Sequence, residues 1–319
     1  MGLTLDAARR LAERSLAQHL PPVPGGAWLA SLTDLRHPGL HRETLARGLL
    51  VPLAQWAARH DARLRPALAA QLMEALGADP TRHADVLALV ELHHLAALLL
   101  DAASDAPAPA AGAPRAATPG HADHPDPAAL ARHLGQLTPV LAARACPSLA
   151  GEARRALVAA FSRSLFVQGL GRTLDLWAQG HPPADTSAAA LARHLGLCAG
   201  TRGFGLACHA AALCAGVDRA GRAGWTHAGH ALGTALRLGA LARGDTRRLG
   251  AGRFASCEPG LRHPGPADRA ALRAEARARG DQAVRRAARL APAGALALER
   301  FAAHFEAGTE AAPSPQAAA

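Results

Sequence analysis

The stretch ELHHLAALLLDAASD, from Glu91 to Asp105, constrains this chain more than any other. Nothing between Glu91 and Leu100 breaks a helix, and the strong helix formers Ala and Leu fill it. The apolar run is too short to cross a bilayer and carries Glu91, His93 and His94, so its apolar surface has to be buried in protein. His94, Leu98, Asp101 and Asp105 recur at i, i+4, i+7 and i+11, one face of a helix, with the two acids one turn apart. Carboxylates at the end of a buried helix need a cation or a hydrogen-bonding partner. The next residues, APAPAAGAPRAATPG, cannot extend the helix, because Pro lacks the N–H and the composition is too poor to pack.

The same Ala/Leu pattern recurs along the chain. It predicts helices over 5–20, 42–60, 63–76, 80–103, 128–145, 149–180, 186–216, 226–243, 267–290 and 295–307. Pro52 is read as a kink or a helix start, Asp61 as a cap and Gly77 as a stop. No segment alternates apolar and polar residues with β-branched enrichment, so the fold class is all-α. Residues 1–308 are expected to form one helical domain, with 105–127 a mobile loop and 309–319 a disordered tail.

The formal net charge is +10, all of the basic charge being Arg, and Ile, Lys, Asn and Tyr do not occur. A basic chain suggests nucleic acid, anionic lipid or an anionic small molecule. The missing residues are those with AT-rich codons, so GC-rich coding accounts for much of the Arg. Stacking aromatics are scarce and no nucleic-acid module is recognisable, so nucleic acid is disfavoured. Five Cys at irregular spacing, none in CxxC, read as reduced and buried thiols. The first residues lack a signal-type apolar core, which with the thiols predicts a cytoplasmic protein with no membrane span. His194 with Cys198, Cys208 with His209, and His227 with His230 have spacings that could bind zinc, but no four-ligand set is evident.

Several motifs, in order, resemble those of the trans-polyprenyl diphosphate synthase family. RLRPALAAQLMEALG resembles its GGKRLRP segment, with Arg63 and Arg65 in place. ELHHLAALLLDAASD resembles ELxHxxSLxHDDxxD, with Asp101 and Asp105 at the first and last Asp. GRTLDL from Gly171 resembles GQxxDL, the region Thr201 to Gly203 resembles KTG, and GHALGTALRLGAL from Gly229 resembles GxxLGxxFQxxDDxxD. The resemblance implies the isoprenoid synthase fold, an orthogonal bundle of about ten or more helices around a central cavity. It also implies two facing acidic motifs that hold Mg²⁺ against the diphosphate of an allylic substrate. Hard carboxylate oxygens suit Mg²⁺, and the carbocation left by ionisation needs a dry apolar chamber. By this resemblance Asp101 and Asp105 are candidate Mg²⁺ ligands, and Arg63, Arg65, Arg172 and Arg237 bind the diphosphate. His94, Leu98 and Phe204 line the cavity, and the chain forms a homodimer or pairs with an active homologue.

The sequence also departs from that pattern. Ala102 stands at the second Asp, Ala62 and Thr201 at two Lys positions, and Ala110 and Ala111 at the paired Arg. Ala240, Leu241 and Gly244 occupy the second acidic motif, with Asp245 one residue beyond it. Two Gln positions have become Arg172 and Arg237, and Arg237 is expected to pair with Asp101 and Asp105 where metal would have been. The expected function is therefore a non-catalytic or regulatory paralogue in isoprenoid metabolism, with a weakened or lost Mg²⁺ site. The alternatives are an active prenyltransferase or terpene-synthase-like enzyme that uses Arg in place of part of the metal cluster, and a basic nucleic-acid-binding protein.

Overall fold

The computed structural model describes residues 3–20, 25, 28, 43, 46–59, 63–105, 127–144, 146–178, 181, 187–197, 199–244 and 265–310. Side chains at 59, 101–105, 127–129, 172, 175, 176, 178, 199, 200 and 305–310 fall outside the description. The predicted loop at 106–126, the tail from 311, Asp61, Cys198 and Asp245 also lie outside it.

Eleven α-helices are described: α1 (Leu5–His19), α2 (Val51–Arg59), α3 (Leu64–Ala75), α4 (Ala84–Asp105), α5 (Pro127–Arg144), α6 (Gly151–Ala178), α7 (Ala188–Leu195), α8 (Ala199–Cys214), α9 (Arg219–Arg243), α10 (Pro266–Leu290) and α11 (Pro292–Glu310). A π-turn, Ala46–Leu50, leads into α2, whose second residue is Pro52, so that proline starts a helix. No strand occurs among the described residues.

Most predicted helices are present with shifted ends, and the shifts have local causes. The segment 186–216 is two helices, broken at 196–198, where Gly196 closes α7 and the chain turns into α8. The helix predicted from 226 begins at Arg219, because the Asp218 carboxylate accepts from Gly221 N at 2.7 Å and caps it. Helix α9 ends at Gly244, whose φ of 77° is the left-handed conformation that only glycine adopts cheaply. Gly77, at φ 85°, stops α3 in the same way.

Helix α8 is the hub, packed against α3, α4, α6 and α9. Its contact with α9 is close because Gly229 and Gly233 lie one turn apart on the facing side of α9. A Cβ at Gly233 would sit 2.8 Å from the Thr201 carbonyl oxygen and 2.9 Å from Phe204 Cδ2. Gly233→Val should therefore cost about 1–3 kcal/mol, seen as a lower denaturant midpoint. An unchanged midpoint would mean that the two helices can separate freely. The main apolar core runs through α1, α3, α4, α5, α8, α9 and α11. A smaller core joins α7, α9 and α10 through Leu195, Leu238, Leu241 and Leu272.

Candidate functional site

Two of the four arginines predicted to bind diphosphate, Arg63 and Arg65, gather at Glu91 of α4. Arg63 Nη1 donates to Glu91 Oε1 at 2.8 Å, and Arg63 Nη2 donates to the Ala57 carbonyl at 2.7 Å. Both side chains of the pair are buried, at 5% and 2% exposure. Arg63 holds this position with φ 44°, a left-handed backbone uncommon for a residue with a Cβ. Arg63 thus serves an internal ion pair.

Arg65, two residues on, is buried with its guanidinium carbon 4.6 Å from the centre of the Phe204 ring. Burial pushes its pKa down to about 10. Glu91 pulls it upward and the neighbouring Arg237 pushes it further down. Arg237, from α9, is buried too. Glu91 thus faces both Arg63 and Arg65, with Arg237 beside Arg65. The Arg172 side chain, and those of Asp101 and Asp105, lie outside the described residues, as does the expected pairing of the two acids with Arg237. Asp101 and Asp105 do close the C-terminal turns of α4.

The C-terminal end of α9 is apolar. Ala240 and Leu241 are buried there, so two of the positions that the second acidic motif would occupy carry no oxygen donor. Among the described residues, no group of three or more His, Cys, Asp or Glu could hold a metal ion. The donor set that α9 offers does not fit Mg²⁺.

His93, Ser164 and Gln168 form a second buried polar group, between α4 and α6. His93 Nε2 lies 2.8 Å from Ser164 Oγ and 2.9 Å from Gln168 Nε2. An amide nitrogen can only donate, so His93 Nε2 is the acceptor and the ring is neutral. Burial pushes its pKa down to about 3. As the pH falls below the ordinary value of 6.5, the unfolded chain takes a proton that folded His93 refuses. At pH 5 this group alone should cost about 2 kcal/mol of stability. The melting temperature should fall on acidification, with a shallower slope in His93→Gln. Equal slopes would contradict the assignment.

A described cavity lies elsewhere. It holds about 630 Å³ between α6, α8 and α9. Arg163, Arg202, Arg219 and Arg222 line it, with His209, His227 and His230. His94, Leu98 and Phe204 do not. His94 and Phe204 are buried in the helix packing, Phe204 edge-on to Phe301 at 6.1 Å. This cavity is basic rather than apolar. Sequence reading missed it because its residues come from three helices and share a wall only after folding. The signals were His209, beside Cys208, and the pair His227 and His230, read as zinc spacings, and the structure sets those rings among arginines. The buried thiols Cys146 and Cys208 are free, as expected.

No protein-family model matches the sequence, and no curated protein matches it. Solved structures match over nearly the whole chain. A geranylgeranyl pyrophosphate synthase is 17% identical with a TM-score of 0.66, covering 95% of this chain and 98% of its own. The geranylgeranyl pyrophosphate synthetase of the archaeon Geoglobus acetivorans is 15% identical with a TM-score of 0.64, covering 94% and 96%. A polyprenyl synthase from Caulobacter crescentus, solved with calcium and isoprenyl diphosphate, is 21% identical with a TM-score of 0.50, covering 95% and 97%. The chain has the all-α isoprenoid synthase fold of the trans-prenyl diphosphate synthases. No described helix is long and apolar enough to cross a membrane.

Proposed function

We propose that this protein is a diverged relative of the trans-prenyl diphosphate synthases that has lost metal-dependent prenyl transfer and acts as a non-catalytic or regulatory subunit. The observation that carries this is the end of α9, where Arg237, Ala240 and Leu241 are buried at or beside the positions of the second acidic motif. Ionising an allylic diphosphate needs several cations around the leaving group. Of the two acidic motifs, Asp101 and Asp105 of the first keep carboxylates that could hold Mg²⁺, while Ala240 and Leu241 of the second do not. Arg65 and Arg237 retain the charge to attract an isoprenyl diphosphate without polarising it as a metal cluster would. Incubation with farnesyl and isopentenyl diphosphates plus Mg²⁺ should release no diphosphate above a protein-free control. Release proportional to protein would instead establish an active enzyme with arginine in place of part of the metal cluster.

A subunit role needs a docking face, and α6 offers one. Phe166, Leu170, Leu174 and Trp177 fall on one side of the helix, and Phe166 is 73% and Trp177 61% exposed. An exposed apolar row of this size on a soluble-type helix marks an interface. Its occupant is a second chain of this same fold, a copy or an active homologue, because the row lies on a helix that any chain of the fold supplies. Light scattering should show a dimer, and Phe166→Asp with Leu170→Asp should shift it to monomer. A monomeric parent would leave the homologue as the partner to test.

The nucleic-acid reading has one observation in its favour, an exposed row of Arg269, Arg273 and Arg277 on α10. Glu275 and Asp281 on the same helix pair with Arg279 and Arg285, and α10 carries no aromatic residue to stack on a base. Salt-sensitive retardation of DNA or RNA should be absent.

A further inference from the structure

We infer that the cavity between α6, α8 and α9 is a binding site for a small phosphorylated molecule that carries two or more anionic groups and a hydrogen-bond donor. The first argument is charge. Arg163, Arg202, Arg219 and Arg222 all line the cavity, and no carboxylate does. Four cations around one cleft repel each other at least cost when an anion sits between them. Phosphate is the anion whose geometry arginine forks match.

The second argument is geometric. Arg202, Leu206 and His209 recur at i, i+4 and i+7, so one face of α8 supplies one wall. Arg219, Arg222, Thr226 and His230 do the same for α9. Phe204, which carries Arg65, lies on the opposite face of α8. The cavity and the Arg65–Glu91 cluster are therefore separated by the thickness of a helix, on the order of 10 Å. A volume of about 630 Å³ suits a metabolite-sized ligand.

The third argument concerns unmet polar atoms. Arg202 Nε and His209 Nε2 are buried with no hydrogen-bond partner among the described residues. The state of His209 follows from its neighbour. Thr226 Oγ1 donates its single proton to the Arg222 carbonyl at 2.7 Å. Its oxygen must then accept from His209 Nδ1–H, 3.0 Å away, which leaves His209 Nε2 as a bare lone pair in the cavity wall. Burial first, then Arg222 and Arg163, hold the ring neutral, with a pKa near 4. The site thus offers donors to an anion and one acceptor to an alcohol hydroxyl. A fully ionised inorganic anion answers only the first.

The test is isothermal titration calorimetry of the full chain at fixed ionic strength with two probes, inorganic diphosphate and fructose 1,6-bisphosphate. Both should bind saturably, and the hydroxylated probe more tightly. Arg163→Gln with Arg219→Gln changes only exposed side chains of the cavity, and should weaken both probes at least about tenfold while the melt stays cooperative. Arg273→Gln, on the outer face of α10, should leave both unchanged. His209→Phe should remove the preference for the hydroxylated probe and spare diphosphate. Absence of saturable binding by either probe would overturn the proposal, as would affinity unchanged in the Arg163/Arg219 variant. A preference that survives His209→Phe would overturn the role of Nε2. None of these outcomes depends on prenyl transfer, so this site and the proposed loss of activity stand or fall separately.

Discussion

Replacing Glu91 by alanine should cost about 3–5 kcal/mol of folding stability. The carboxylate is buried and accepts from Arg63 at 2.8 Å, and it also raises the pKa of Arg65. Removing it leaves Arg63 buried without the carboxylate it bonds, beside a second guanidinium, and a buried charge without its counter-ion is among the most costly defects a core can carry. The backbone adds to the loss. Arg63 sits at φ 44°, and it is held there by its bonds to Glu91 and to the Ala57 carbonyl. The control separates pairing from packing. Glu91→Leu combined with Arg63→Met should recover part of the loss, because apolar residues of similar volume replace the bonded pair at little cost while Arg65 still loses the carboxylate that raises its pKa. A denaturant melt of the three variants decides it. A cost below about 1 kcal/mol in Glu91→Ala would mean that water reaches the pair.

This pair also shows how far the sequence could be read. Arg63 and Glu91 both belong to recognisable segments, but only Arg63 was legible as a residue of the site. Their union was not, because 28 positions separate them and only the packing of α3 on α4 brings them together. The helices themselves were legible from Ala/Leu periodicity, since that pattern is local. Starts were less so. Asp218 caps α9 ahead of RAGRAGWTHAG, a run whose glycines hide the helix from any propensity argument. The close seam of α8 on α9 explains Gly229 afterwards, since a Cβ there would meet the Phe204 carbonyl oxygen, while one at Gly224 would meet Leu290 of α10. The basic cavity was the least legible feature. Its arginines are spread from 163 to 222, within a composition already rich in arginine, and charge count cannot tell scattered surface arginines from ones gathered around a single cleft.

Arg65 should behave oppositely to Glu91. Replacing it by methionine is expected to stabilise the fold by about 1–3 kcal/mol. The reasoning is linkage. Burial lowers the Arg65 pKa from the ordinary 12.5 to about 10, so the folded state disfavours the very charge it holds at neutral pH. That penalty is present at every pH below the folded value, and it fades only as the pH rises from 10 toward 12.5. The ring of Phe204 beneath the guanidinium, at 4.6 Å, offsets part of it, by about 1–2 kcal/mol. Methionine removes the charge, keeps the volume and still packs on the ring. A residue whose removal stabilises the protein is retained for something other than folding. Here that would be attraction of a diphosphate, so the same variant should lose affinity for farnesyl diphosphate measured by equilibrium dialysis. Calorimetry of Arg65→Met beside the parent chain tests the first half directly. If the melting temperature falls, Arg65 is a structural cation like Arg63, and the site keeps only Arg237 among the described candidates for holding an isoprenyl diphosphate.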